Sequence, residues 1–459
     1  MSKSKNFFSW MLNDKRLYKS LLTVALPIII QNFIASSLNM IDTLMIGKVG
    51  EKEIAAIGIA NQYFFLFNLF LIGIYAGCGV FISQFWGKED KENIKKVVGF
   101  GNLLGIVVSF IFTLAALVFT YAIISLFNKE AFVIDQGMKY LKLVCLSYLF
   151  TAITFNYGTA LRAVNKAVPP MIVSMLAILC NTFFNYMFIF GKFGAPKMGV
   201  EGAALATLIA RIFECATLVV YVYIKNDVVN AKMKYIFSFT KDFALKILKT
   251  VTMVVLNEAC WGVGTIIYSV VYGRIGTEAL AATQICTTVQ NMFMVIIFGI
   301  ASASTVLVGN KVGAGLEEEA IEDSKKIAVI SCIIGIFIAI LLSGSAGFIL
   351  SLFNVSETVR NTSKTILYII SVIMIIRVFN ITCVVGVLRG GGDTNYSLKL
   401  EVFTMWGLGV PSAFIGAFFL KLPVEYVVAL VTLEEVVKAI FCLKRLKSDN
   451  WIKNIVEEI

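Results

Sequence analysis

Asp42 and Glu258 are carboxylates set in long apolar runs, with no lysine or arginine within a helical turn of either. A lone acid in such a place must face a water-filled cavity, bind a cation or take up a proton, because burial penalises its charged form. Asn181 and Asn185 stand four residues apart in another apolar run, so a helix puts both amides on one face. One carboxylate and two amide oxygens make a hard-oxygen set suited to Na+, or a network around a protonated acid. Hydrogen bonding between helices explains the asparagines equally well, and both readings stay open. Arg211 and Glu214, three apart, read first as a local ion pair and second as a substrate contact. Lys142 can reach toward the outer interface and Glu401 toward the cytoplasmic one. Arg377 lies mid-helix with no partner near it in sequence, so a salt bridge to a neighbouring helix and a functional role are both open.

Other chemistry is thin. The chain has no histidine, which removes the usual zinc ligand, the usual general base and any His-based proton relay. Its nine cysteines are scattered singly with no C-x-x-C, which reads as packing rather than a metal or disulfide framework. No nucleophile motif or phosphate-cradling loop is present. The run Gly390–Asp393 lacks the Lys-Ser/Thr of a P-loop and reads as a tight turn. No cofactor is expected beyond a coupling ion, and a membrane-embedded enzyme is only the remote alternative.

The elements that must hold these groups are membrane helices. Apolar residues make up 58% of the chain and charged ones 15%, against about 45–50% and about 25% in soluble proteins. Apolar runs recur that are long enough to cross roughly 30 Å of hydrocarbon. Twelve helices are predicted, at about 20–45, 54–83, 97–126, 132–160, 168–190, 199–224, 243–271, 280–310, 327–353, 361–388, 397–420 and 424–443. The expected fold class is an all-α polytopic membrane protein with two pseudo-symmetric six-helix lobes. Its divisions are a cytoplasmic N-terminal segment 1–19, an N-lobe 20–224, a linker 225–242, a C-lobe 243–443 and a tail 444–459.

The even-numbered loops and both termini carry well over twice the Lys and Arg of the odd-numbered loops. The positive-inside bias therefore places both termini and the linker in the cytoplasm, and it accounts for the net charge of +11 without a nucleic-acid partner. The N-terminus lacks the features of a cleavable signal. Phe7–Leu22, with Trp10 and Met11 among lysines, reads either as an interfacial helix or as a disordered basic tip.

The halves are related. Ile46–Ala56 (IGKVGEKEIAA) and Tyr272–Ala282 (YGRIGTEALAA) align without a gap at an offset of 226, which continues through Gly73/Gly299, Val80/Val306 and Gly87/Gly313. Two halves of six helices each share one orientation and are related by an axis along the membrane normal, as in transporters that move one half against the other. The offset pairs Asp42 with Tyr268 and Glu258 with Asn32, so the copies share a scaffold but not a charge position.

Several segments together resemble the multidrug and toxic compound extrusion (MATE) transporters over essentially the whole chain. They are ALPIIIQN at 25–32, IDTLMIG at 41–47, NTFFNYMFIFG at 181–191, GAALAT at 202–207, LNEACW at 256–261, YGRIG at 272–276 and LRGGGDT at 388–394. The resemblance implies an antiporter in the cell membrane, a monomer among lipids, that exports cationic amphiphiles in exchange for Na+ or H+. It makes Asp42, Asn181 and Asn185 the N-lobe cation site, with Na+ as a possible ligand. Glu258 matches the helix 7 acid of NorM-like members, and Asn185 with Glu258 favours that branch. Asn32, Asn257, Trp261, Tyr268 and Arg377 are the candidates for lining the substrate cavity. The chain departs from NorM-like members near 377–380, where Arg-Val-Phe-Asn carries no carboxylate. A two-acid C-lobe site is thereby in doubt, and Arg377 is available to hold Glu258. The second reading is a lipid or oligosaccharide-lipid flippase of the related superfamily, which would need a strongly cationic cavity.

Overall fold

A computed structural model describes residues 14–225, 227–232, 235, 238–353 and 355–457, leaving aside the side chains of 38–41, 43 and 44. Among these, twelve long helical elements follow one another: α1 Lys15–Gly47, α2 Glu51–Gly87, α3 Lys91–Val118, α4 Ala131–Ala163, α5 Val168–Phe190 and α6 Val200–Ile224. Then come α7 Lys241–Ile275, α8 Thr277–Gly313, α9 Glu317–Ser351, α10 Glu357–Leu388, α11 Thr394–Phe419 and α12 Val424–Lys447. No strand occurs among the described residues. The chain is an all-α polytopic membrane protein.

Many elements outrun their apolar cores because polar residues start and stop them. Asp90 accepts from the Asn93 amide at 3.0 Å and caps α3, and Ser356 does the same for α10. Pro169 and Pro170 open α5, where a missing N–H costs nothing, and Gly191 closes it in the left-handed conformation. The helix expected at 97–126 instead ends at Val118 and resumes as the short turn Thr120–Ser125. The α4 helix is broken by a 3-10 turn at Cys145–Ser147. Wider π-helical turns occupy Thr382–Leu388 of α10 and Val402–Gly409 of α11. Eleven elements are long and apolar enough to cross a membrane by length and composition. The twelfth, α12, falls short because Glu434, Glu435 and Lys438 interrupt its middle.

The described residues divide into two compact units. One takes those within Met1–Ile29, Ser83–Glu89 and Leu256–Ile459; the other takes Ile30–Ile82 and Asp90–Val255. The division cuts α1 before Ile30 and α7 before Leu256, positions related by the offset of 226.

Contacts within each unit repeat that relation. In the second unit a Cβ on Gly73 would lie 2.6 Å from the Val255 Cα. In the first, a Cβ on Gly299 would strike Ile29, and both residues of this pair are the offset equivalents of the other. Also in the first unit, Gly87 backs onto the Asn310 carbonyl and Gly313 onto that of Gln84, so α2 and α8 cross through a locally two-fold contact. Only glycine permits backbones to approach this closely.

The expected interfacial stretch Phe7–Leu22 lies outside the described residues up to position 13, and from Lys15 it is already α1. All nine cysteines are free thiols. The Gly391–Gly392 turn is confirmed, with Gly392 at φ 85°. It receives the C-terminal tail: Asp393 binds Arg445 and Lys453, Trp451 is buried against Gly391, and the Gln84 side chain accepts from the Ile455 amide at 3.0 Å.

Candidate functional site

In the second unit, three helices bring polar groups to one line. The α5 positions 174, 181 and 185 and the α6 positions 207, 211 and 214 each recur at helical spacing, so each set forms a stripe along one face. At the far end of α1, Asp42 Oδ1 accepts from Asn185 Nδ2 at 2.7 Å. The same nitrogen donates to Asn181 Oδ1 at 3.1 Å, and Asn181 Nδ2 reaches Thr207 Oγ1 at 3.5 Å. Asn185 Oδ1 is buried without a hydrogen-bond partner. This leaves one amide carbonyl beside the acid, free for a bound cation or for the proton of a neutral Asp42.

Further along the same stripes, Arg211 Nη1 donates to Glu214 Oε2 at 2.7 Å, and Ser174 donates to Glu214 Oε1 at 2.7 Å. Ser174 accepts from Gln31 of α1 at 2.8 Å, and Arg162 of α4 donates to Thr159 at 3.0 Å and to Gln31 at 3.5 Å. Asp42 and Glu214 therefore have different partners: the Asn185 amide for one, a guanidinium and a hydroxyl for the other.

The first unit is built on ion pairs. Arg389, the residue that follows α10, donates to Glu258 Oε1 at 2.6 Å and to Asn257 Oδ1 at 2.5 Å, while Asn257 donates to the Ser397 carbonyl at 3.3 Å. Arg377 donates to Glu435 Oε1 at 2.9 Å, Asn380 to Glu435 Oε2 at 2.7 Å, and Lys438 to both oxygens of Glu401 at 3.1 Å. Tyr268 donates to Glu434 Oε2 at 2.8 Å.

The sequence-predicted set Asp42, Asn181 and Asn185 is thus one connected network. Glu258 is held by Arg389, 131 residues away, and not by Arg377. Arg377, Asn257 and Tyr268 each have a specific partner, Trp261 is exposed and Asn32 half-buried. Glu401 does not reach toward the cytoplasmic interface: it is buried, because Lys438 supplies a countercharge inside the bundle. Sequence reasoning missed Arg162, Arg389, Glu434, Glu435 and Lys438. For the last three the signal was present, three ionisable groups within five residues of one span. Among the described residues no group of three or more His, Cys, Asp or Glu is placed to hold a metal ion.

The family model MatE matches this chain twice, over residues 27–187 and 254–415. The second match starts 227 residues after the first, close to the internal offset. A probable multidrug resistance protein NorM of Thermotoga maritima is 26% identical over 88% of this chain and 86% of its own length. The uncharacterized transporter YisQ of Bacillus subtilis is 24% identical over 95% of each. Among solved structures, an outward-facing multidrug resistance MATE family transporter of the MOP superfamily superposes with a TM-score of 0.86 at 18% identity, covering 95% of this chain and 97% of that one. A MOP superfamily transporter from Pyrococcus furiosus, described as having a binding pocket of reversed polarity, gives 0.85 at 19% identity over 98% and 99%.

Proposed function

The chain belongs to the MatE family, a transporter family and not an enzymatic one, and on that premise we propose that it is a cation-coupled antiporter exporting cationic amphiphiles. In this reading residues 20–224 and 243–443 form two lobes that alternate access, with both termini cytoplasmic and the protein acting as a monomer among lipids. Its relatives named as multidrug resistance proteins support the substrate class.

The observation that carries the coupling role is the Asp42–Asn185 hydrogen bond beside the orphaned Asn185 carbonyl. An acid held by amides keeps its charge for an incoming cation, Na+ or H+. In the outward-open state Asp42 takes a cation from outside and drug leaves; the loaded protein turns inward, loses the cation and accepts new drug. Glu258, already neutralised by Arg389, orders α7 against α10 in this reading and leaves Asp42 as the principal coupling residue.

The flippase reading would need free cationic charge at a cavity. Arg211 and Arg377 instead pair with Glu214 and Glu435, which favours the exporter, while Arg162, bonded to the neutral Thr159 and Gln31, is the group that speaks for the flippase.

The test is efflux of a fluorescent lipophilic cation from proteoliposomes, driven in turn by a Na+ and a pH gradient. Efflux under one gradient identifies the ion. Undiminished ion-driven efflux by Asp42→Asn would overturn the role of Asp42.

A further inference from the structure

The ion pairs of the first unit do not balance. Around the middle of α12 lie three carboxylates, Glu401, Glu434 and Glu435, and two cations, Arg377 and Lys438. Arg377 is taken by Glu435 and Lys438 by Glu401. Glu434 is left with a phenol: the Tyr268 hydroxyl donates to it at 2.8 Å. All three carboxylates are buried, Glu434 with 5% of its surface exposed.

The charged and titratable groups that act on Glu434 are Tyr268 and Tyr272 from α7, Arg377 from α10, Glu401 from α11, and Glu435 and Lys438 from its own helix. With all three acids ionised the cluster carries one net negative charge inside the bundle. With one proton added it is neutral, which a low-dielectric setting strongly favours. A metal ion does not fit the same need. The carboxylates do not converge as a metal site, and two cationic side chains already stand among them.

Two further features are independent of the charge count. Asn380 is 1% exposed and its amide head lies in the cluster, where Nδ2 donates to Glu435; its Oδ1 has no hydrogen-bond partner. The cluster thus holds a buried acceptor with nothing to accept. The second feature is Gly409, at the end of the π-helical stretch of α11. A Cβ there would strike both Glu434 Oε2 and the Tyr268 hydroxyl, so the α11 backbone lies directly against the pair. Wide π turns recur at functional sites, where they let a helix shift its register.

We propose that Glu434 is a proton-binding site separate from Asp42, whose occupancy sets the charge of the α7–α10–α11–α12 cluster and with it the seating of α11 on Tyr268. Uptake is a simple protonation: a proton from water joins a Glu434 carboxylate oxygen, and nothing is oxidised or reduced. That this protonation serves transport rests on the exporter reading above; the protonation itself does not.

The test uses the full-length protein purified in detergent. Its pH-difference infrared spectrum should contain the carbonyl stretch of a protonated carboxyl, which Glu434→Gln removes and Asp42→Asn leaves in place. Acidifying a weakly buffered sample should load one proton fewer onto Glu434→Gln than onto the parent. Should Glu434→Gln fail to fold, Tyr268→Phe is the substitute: deleting the hydroxyl that donates to Glu434 should move the band to higher frequency. A Glu434→Gln protein with the parent's band and proton count, or a Tyr268→Phe band that does not move, overturns the site. If instead the parent protein shows no ion-driven efflux while the Glu434 band behaves as expected, the exporter reading fails and the proton site stands.

Discussion

The Asp42 network and the Glu258–Arg389 pair lie in opposite halves of a duplicated chain and treat a half-buried acid in opposite ways. Asp42 rests on Asn185, itself bonded to Asn181, and these amides hold it in place without supplying a countercharge. Glu258 meets a guanidinium that is itself 4% exposed, and the pair is neutral as it stands. A duplicated scaffold therefore does not dictate duplicated chemistry. In the reading proposed above, one copy keeps Asp42 available for exchange, while in the other Arg389 fastens Glu258. The asymmetry also predicts that the two acids fail differently when altered.

The largest difference is expected in transport. Asp42→Asn should reduce ion-driven efflux to background in proteoliposomes, whereas Glu258→Gln should keep a clearly measurable fraction. Equal loss in both would erase the distinction between the sites.

Stability should divide the other way. Arg389→Met strands Glu258 as an uncompensated, half-buried charge and should cost up to about 3 kcal/mol, the lower end of the penalty for breaking one side of a buried pair. Adding Glu258→Gln should restore most of the lost melting temperature, because the double variant leaves no lone charge. Asp42→Asn should change the same melting temperature little.

A smaller effect probes the shared scaffold beneath the two sites. Gly87→Ala and Gly313→Ala each drive a methyl into a backbone carbonyl of the facing helix, at equivalent places. Each should destabilise by about 1–3 kcal/mol, in the range of overpacking. The two values should agree closely if the contact is as two-fold in energy as it is in geometry.

The smallest effect concerns a charge cluster outside both sites. The hydrogen bond from Lys326 holds the Asp14 carboxyl below its ordinary value of 3.8. Its contribution to stability is therefore fully present above that value and is lost as the pH falls through the lower folded value. Asp14→Asn should remove that part of the acid sensitivity in thermal melts, with no change in efflux at neutral pH.

How much of this was legible in sequence depended on distance along the chain. The helices and the repeat were readable because they are local or periodic. Asn181 and Asn185 were readable as a pair because 3.6 residues per turn places them together. The link to Asp42 came from family resemblance, since 143 residues separate the partners. Arg389 as the partner of Glu258 was not legible. Arg377 looked equally able, and only the packing of α10 decides which arginine faces α7. The acids of α12 were overlooked for another reason: the flanking valines and leucines make the stretch read as an ordinary span. The π-helical turns leave no trace in hydropathy at all.

The exchange of helix starts between the compact units bears on how such a chain can be divided. Residues up to Ile29 pack with the C-terminal part of the sequence, and α7 up to Val255 packs with the N-terminal part. A protein severed in the linker at 225–242 would yield two fragments, each lacking the packing partners of the start of its own first helix. Neither fragment is self-sufficient, and each completes the other. Co-expressed halves should therefore reassemble, while either half made alone leaves the glycine grooves at Gly73 or Gly299 open to the lipid.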